Sequence, residues 1–255
     1  MIRVIVAGVT GWVGAPLTEA IKASEDLRLV AAVARASAGE KIGEIAISGT
    51  VDEALDTAAD VFVDYTSASA VRDHVLSAIR RGLHVVVGSS GLSNEDYEAL
   101  DREARQADVG VIAVGNFAIS AALVQRFAAE AAKHFDSWEI IDTADAAKID
   151  APSGTARELA WRMSQAASPR LEVRIEDTLG PRESRGADIS GSRVHSLRIP
   201  GAGIGVEVRF GKTDERLTLA YEGGRGAGPY IDGTLLAIRR ASSFRGVVRG
   251  LDRLL

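Results

Sequence analysis

Hydrophobic residues fall into two styles along the chain. In the first half they form short, nearly continuous runs at Ile2–Ala7, Leu29–Val33, Val61–Tyr65, Leu83–Val87 and Val109–Val114, interrupted only by Arg3, Asp64, His84 and Gly110. Runs of this kind predict strands buried on both faces, as in a parallel sheet with helices on each side. Helical stretches are predicted between them, at Pro16–Ala23, at Ser69–Arg81 and from Ser93 onward. The last carries Glu95, Asp96 and Glu98 early in the helix, where its dipole favours acids. The repeated alternation predicts a doubly wound α/β domain of the Rossmann type. Residues 118–134 follow as a helix, with Ile119, Leu123 and Phe127 recurring every four residues as one apolar stripe.

In the second half, strands are predicted at Glu139–Thr143, Leu171–Glu176, Arg193–Ile199, Val206–Phe210 and Arg216–Tyr221. Several alternate apolar and polar residues, the period of a mixed or antiparallel sheet with one wet face. A helix at Thr155–Ala166 interrupts them, and a last helix at Ile231–Ala241 reads as a return to the first domain. The expected organisation is a first domain of residues 1–117 and 229–255, and a central α+β domain of residues 118–228. The glycine-rich stretch Gly223–Gly228 is expected to be a mobile loop.

Composition narrows the function. The chain has 255 residues, 46% apolar and 25% charged, with a net charge of −5. It contains no cysteine, which excludes disulfides, cysteine-ligated zinc, iron–sulfur clusters and a thiol nucleophile. Its four histidines are scattered without metal-ligand spacing, so no metal is expected. A mildly acidic chain without basic runs gives no electrostatic case for nucleic acid. No apolar run approaches the roughly 18–20 residues that span a bilayer, and the amino terminus reads as a strand rather than a signal peptide. A cytoplasmic enzyme or small-molecule binder is expected, with no membrane partner.

The first candidate site is the turn after the first strand. Gly8, Gly11 and Gly14 have the spacing G-x-x-G-x-x-G between a strand and a helix. Glycine lets the backbone approach a pyrophosphate, and the helix start supplies N–H donors and a positive dipole end. Thr10, Trp12 and Val13 belong to the same turn. The second strand normally ends near the residue that reads the adenosine ribose. Here no acid occurs until Glu40, whereas Arg35 suits a 2′-phosphate, so NADPH is expected in preference to NADH. Two further loops, containing Asp64-Tyr65-Thr66 and Gly88-Ser89-Ser90-Gly91, end apolar strands at the edge where open α/β sheets bind ligands. Asn116 ends the last such strand as a ligand donor or a helix cap.

The second candidate site is Lys148–Glu158. Thr155 and Glu158 have capping-box spacing, which predicts a helix start. The hydroxyls of Ser153 and Thr155, the backbone around Gly154 and the charge of Lys148 together suit a carboxylate-bearing substrate. Among other residues, His195 reads as a satisfied strand histidine. His74 and His84 read as surface or strand-end residues, and His134 as the close of a helix. Arg182, Arg185 and Arg193 read as solvated loop charges, with the pairing of one of them to a second carboxylate as the alternative.

Taken in order, these motifs resemble the dihydrodipicolinate reductase family of lysine biosynthesis. The resemblance runs through Gly8–Gly14, Asp64–Thr66, Gly88–Gly91, Gly115-Asn116-Phe117, Lys148–Thr155, Val194–Gly201 and Leu235–Arg239. It implies a Rossmann domain completed by the last helix, a central domain that binds substrate and assembles a homotetramer, and hydride transfer from NAD(P)H. It adds Gly115 and Phe117 to the cofactor residues and implies that Ser153, Gly154 and Thr155 contact a substrate carboxylate. Lys148 would bind substrate or assist catalysis. Where the family pattern E-x-H-H-x-x-K carries two histidines, this chain has Ala144 and Asp145. Three accounts are compatible with that departure. The chain reduces another carboxylate-bearing imine, ketone or unsaturated acid, with Asp145, Lys148 or Tyr230 near the reacting atom. Alternatively it reduces the family substrate with Lys148 or water as acid, or it is a non-catalytic nucleotide sensor. For Asp145 to donate a proton its pKa must be raised.

Overall fold

A computed structural model describes all 255 residues. The chain forms two compact units, Met1–Phe117 with Ala227–Leu255, and Ala118–Gly226. Along the first unit run β1 (Ile2–Ala7), α1 (Gly14–Ala23), β2 (Leu27–Val33), β3 (Lys41–Ile42), β4 (Ile45–Ser48), α2 (Val51–Leu55), β5 (Val61–Asp64), α3 (Val71–Arg80), β6 (His84–Val87), α4 (Asn94–Gln106) and β7 (Gly110–Ala113). The second unit contains α5 (Ile119–Ala132), β8 (Ser137–Ala144), α6 (Gly154–Ser164), β9 (Ala187–Ile189), β10 (Ser192–Arg198), β11 (Gly205–Lys212) and β12 (Glu215–Glu222). The chain then returns through α7 (Gly228–Arg240) and β13 (Gly246–Arg249).

The first sheet has the order β13-β7-β6-β5-β1-β2-β4-β3. Every pairing is parallel except that of the short β3 with β4. Most positions of these runs are buried, and Val4 through Ala7 are inaccessible to solvent, whereas Arg3 is exposed near the start of β1. Strand order reverses at β1, whose two neighbours are β2 and β5. The carboxyl ends of β1 and β5 therefore open a crevice at Gly8 and Asp64, the place where such sheets bind ligands.

The second sheet, β12-β11-β8-β10-β9, is mixed: β8 and β10 are parallel and the other pairs antiparallel. Burial alternates along β8, whose Trp138 and Ile140 join Leu159 and Met163 of α6 in one core. The fold is thus the expected α/β architecture with a mixed second sheet.

Four local expectations fail. Residues 171–176 form no strand: β9 takes the place beside β10, and Arg174 folds back to Asp177 (2.8 Å) in a 3₁₀ turn. The stripe on α5 faces outward, with Leu123 and Phe127 exposed, because the small residues Ala121, Ala128 and Ala132 let the helix pack closely on its other side. The cap of α6 is Ser153, whose hydroxyl accepts from Ala156 N–H (3.2 Å), so Thr155 and Glu158 lie inside the helix. The arginines near residues 182–193 are not simply solvated. Arg185 pairs with Glu139 (2.9 Å), and Arg193 is buried and donates to the carbonyls of Arg185 and Gly186.

Candidate active site

The turn after β1 is shaped by close backbone approaches. Gly8 has φ +88°, and a Cβ there would run into the Tyr65 carbonyl; a Cβ at Gly14 would run into the Gly8 carbonyl. Gly8 N–H donates to Val33 O (2.8 Å) and Gly11 N–H to Gly8 O (2.9 Å), which closes the turn. Val13 precedes α1, which begins without a side-chain cap and without an acid in its first turn. The first-turn amides and positive dipole end are therefore not already matched by a neighbouring carboxylate. Beside the turn lies a groove of about 530 Å³, lined among others by Thr10, Gly11, Arg35, Thr66 and His74. A pyrophosphate and ribose fit this surroundings: hydroxyls, an arginine at the end of β2 and backbone without side chains. Arg35 is exposed at the start of a 3₁₀ turn.

The loops after β5, β6 and β7 are joined through two hubs. Asp64 is wholly buried and accepts from Thr66 N–H (3.0 Å), Thr66 Oγ1 (2.9 Å) and Ser89 Oγ (2.5 Å), and it meets His74 Nδ1 at 2.9 Å. Tyr65 forms the second hub. Its hydroxyl meets Thr234 Oγ1 at 2.7 Å, its ring lies 6.0 Å from that of Phe117, and burial pushes its pKa up. A side chain at Gly88 would collide with the Tyr65 ring. Ser90 and Gly115 are exposed, whereas Asn116 and Phe117 are buried. Trp12 is 56% exposed, edge-on to the Tyr230 ring at 5.4 Å. Sequence reading placed Asp64 in a strand-end loop without a role for its side chain, and read His74 as a surface or strand-end residue, whereas it lies on α3 against Asp64. The available signal was a charged residue closing an otherwise apolar buried strand.

The second unit builds its own charged loop. Lys148 Nζ lies 2.7 Å from Asp150, and Arg157 lies 3.8 Å from the same carboxylate. Ser153 and Thr155 are buried, with the Ser153 hydroxyl committed to the helix cap, while Gly154 begins α6. Ser153 N–H donates to Asp142 Oδ2 (2.9 Å), and Asp142 is held in turn by Ser196 Oγ (3.0 Å) and Arg198 Nη2 (3.0 Å). Arg198 also donates to Asp150 O (2.6 Å), so one buried ion pair fixes both ends of the loop. Sequence reading missed Asp142 and Arg198, whose partnership joins residues on two different strands.

Two positions bear on proton transfer. Ala144 is fully buried at the end of β8. Asp145 accepts from Ala147 N–H (2.9 Å) and Gly201 N–H (2.9 Å) and faces Arg225 at 3.8 Å. These amides, and then Arg225, hold its carboxyl below the usual carboxylate range. That is the reverse of the upward shift a proton donor needs. His195 is satisfied by Glu139 at 2.7 Å. His84 accepts from Gly110 N–H (2.9 Å).

Two family profiles cover the chain. One described as "Dihydrodipicolinate reductase, N-terminus" matches residues 2–117, and one described as "Dihydrodipicolinate reductase, C-terminus" matches residues 120–255. The chain belongs to the dihydrodipicolinate reductase family. It is similar to the 4-hydroxy-tetrahydrodipicolinate reductase of Thermosynechococcus vestitus, with 37% identity over 100% of this chain and 97% of that protein. The enzyme of the same name from Syntrophomonas wolfei is 34% identical over 99% and 98% of the two chains. Among solved structures, the dipicolinate-bound dihydrodipicolinate reductase from Paenisporosarcina sp. TG-14 superposes with a TM-score of 0.82 at 26% identity, covering 100% of both chains. This reductase is accordingly an NAD(P)H-dependent oxidoreductase. No helix in it is long and apolar enough to cross a membrane.

Proposed function

We propose that this reductase transfers hydride from NADPH to a small imine, ketone or unsaturated acid bearing a carboxylate. The observation that supports the reading is the Lys148–Arg157 loop at the start of α6, where two cations gather around the single carboxylate of Asp150 beside a helix N-terminus, leaving one positive charge in excess. NADPH supplies the hydride when bound. Gly8, Gly11 and the start of α1 would hold its pyrophosphate, with Thr10, Trp12, Val13 and Gly14 completing the turn. Tyr65, Thr66, Gly88, Ser89, Ser90, Gly115, Asn116 and Phe117 would form the strand-end edge along it. Arg35 would meet its 2′-phosphate, which is the basis for preferring NADPH over NADH. Lys148, with the backbone at Gly154 and Thr155, would orient the substrate carboxylate, while Ser153 would hold the loop through its N–H to Asp142 and its hydroxyl at the helix cap.

A substrate other than that of the named relatives is favoured by the proton inventory. Ala144 offers no proton, and Asp145 is held ionised by its amide donors. General acid help is typically worth about 10²–10⁴ in rate, so its location shapes which substrate is reduced. A substrate that needs little protonation at the reacting atom suits this loop. The second reading is reduction of 4-hydroxy-tetrahydrodipicolinate itself, with Lys148 Nζ as the donor. It is favoured by the full-length similarity to enzymes of that name.

We further infer a homotetramer, as membership of this family implies, with the face of the second sheet that exposes Leu197 as a contact surface. Light scattering in solution tests this, and a monomer would refute it. For the activity, NADPH oxidation is followed with 4-hydroxy-tetrahydrodipicolinate and with a panel of cyclic imines and keto acids. Turnover of a panel member above the family substrate supports the first reading, and the reverse order supports the second. NADPH binding without turnover of any compound would leave a nucleotide sensor.

A further inference from the structure

At the carboxyl end of β5 one side chain gathers four hydrogen bonds. Asp64 Oδ1 receives Thr66 N–H, Thr66 Oγ1 and Ser89 Oγ, at 3.0, 2.9 and 2.5 Å. Oδ2 faces His74 Nδ1 at 2.9 Å. These partners come from three segments: the loop after β5, the loop after β6, and α3. Thr66 and His74 both line the nucleotide groove, whereas Asp64 is itself wholly buried and does not.

The chemistry of the carboxylate fixes the chemistry of the imidazole. An ionised aspartate only accepts, so the nitrogen facing Oδ2 carries the proton. Thr66 Oγ1, 3.3 Å from the same nitrogen, donates its own hydrogen to Oδ1 and so presents a lone pair to Nδ1–H. In neutral imidazole the other nitrogen is then an acceptor. The side chain of His74 is 23% exposed at the groove, and its hydrogen bonds all run through Nδ1.

We propose that Asp64 is the positioning residue of the nucleotide groove: it ties the Thr66 and Ser89 loops together and holds His74 as the Nδ1–H tautomer, leaving Nε2 to accept a hydroxyl or amine donor of the nucleotide. This rests on the reading of the groove as a nicotinamide-nucleotide site. A substitution at Asp64 therefore acts on nucleotide affinity through two loops and one tautomer, without touching the ligand.

Asp64→Asn is the direct test, because it keeps size and shape but places an N–H₂ opposite Nδ1. Long-range nitrogen–proton NMR of the histidine rings, with His74→Gln to assign the signal, reads the tautomer in the ligand-free protein. The wild type is expected as Nδ1–H and Asp64→Asn as Nε2–H, a change that a merely structural role would not produce. NADPH affinity by fluorescence titration is expected to fall at least tenfold in Asp64→Asn. An Nε2–H ring in the wild type, or unchanged NADPH affinity in Asp64→Asn, overturns the proposal. Should Asp64→Asn fail to fold, Ser89→Ala decides, with a three- to tenfold loss of affinity expected and an unchanged affinity overturning it. If the wild type binds no NADPH, the nucleotide reading has failed, and the ring spectrum still decides whether Asp64 sets the tautomer.

Discussion

Each unit of this reductase anchors its candidate site loops on one fully buried aspartate, and the two are satisfied differently. Asp64 is surrounded by a backbone amide, two hydroxyls and an imidazole, whereas Asp142 faces the guanidinium of Arg198 along with one amide and one hydroxyl. The donors around Asp64 are distributed over three segments, with two bonds from Thr66 and one each from Ser89 and His74, so no single donor holds the cluster. Around Asp142 a single cation does most of the holding, and the same cation reaches the carbonyl of Asp150. Removing one hydroxyl from the first cluster leaves the others in place. Removing either charge from the second strands its partner away from water, which costs far more than the pair contributes when whole.

The largest effect is expected where the first unit has no room at all. Gly14→Val places atoms against the Gly8 carbonyl, and the protein should lose several kcal/mol of stability, read as a loss of the cooperative thermal transition or a drop of many degrees in Tm. Next comes Asp142→Ala, which leaves Arg198 uncompensated and should cost about 3 kcal/mol in urea unfolding. The double variant Asp142→Ala with Arg198→Met should recover part of that loss; no recovery would show that the ion pair is not the source. Lys148→Ala should lower kcat/KM for the reduced substrate at least tenfold and leave NADPH affinity almost unchanged, and an equal loss in both would erase the separation of roles between the two units. Arg35→Ser should narrow the preference for NADPH over NADH by roughly three- to tenfold, about 1 kcal/mol, the order expected for one partly exposed charge-assisted contact.

The smallest effect is a pH dependence. Burial, and then Arg245, lowers the pKa of His84 below its ordinary value of 6.5. The folded state therefore favours the neutral ring that accepts from Gly110 N–H. Its contribution is fully present above the unfolded pKa, near 6.5, and is lost as pH falls from there through the folded value. Tm should decline more steeply below pH 6.5 in the wild type than in His84→Gln.

Much of the first unit was legible in the sequence because its signals are local. Nearly continuous apolar runs marked the parallel strands, and three glycines in a strand–turn–helix setting marked the crevice. Short elements were not legible. β13 rests on two valines, and β3 and β4 are a brief hairpin around Gly43, whose φ is +62°. The run Leu171–Ile175 has the alternation of a strand, yet it pairs with no neighbour, and β9 is the strand beside β10. Among site residues, Lys148 and Arg35 stood out as single charges in suggestive places. The electrostatics of Asp145 did not, because its donor Gly201 and its cation Arg225 lie 56 and 80 positions further along the chain. Asp64 and Asp142 were visible as acids in buried strands, but only the fold reveals that their partners are His74 and Ser89 in one case and Arg198 and Ser153 in the other.

The path of α7 has a further consequence. A Cβ on Gly233 of this helix would strike the carbonyl of Phe117, so the helix that re-enters the first unit runs against the residue at which the chain leaves it. The two cut points of the central insertion are thus brought near each other by the host alone. A host with neighbouring ends of this kind can accept inserts of very different length without being rebuilt, which makes the first unit a portable chassis: a short glycine–serine bridge from Phe117 to Ala227 should suffice to express it on its own.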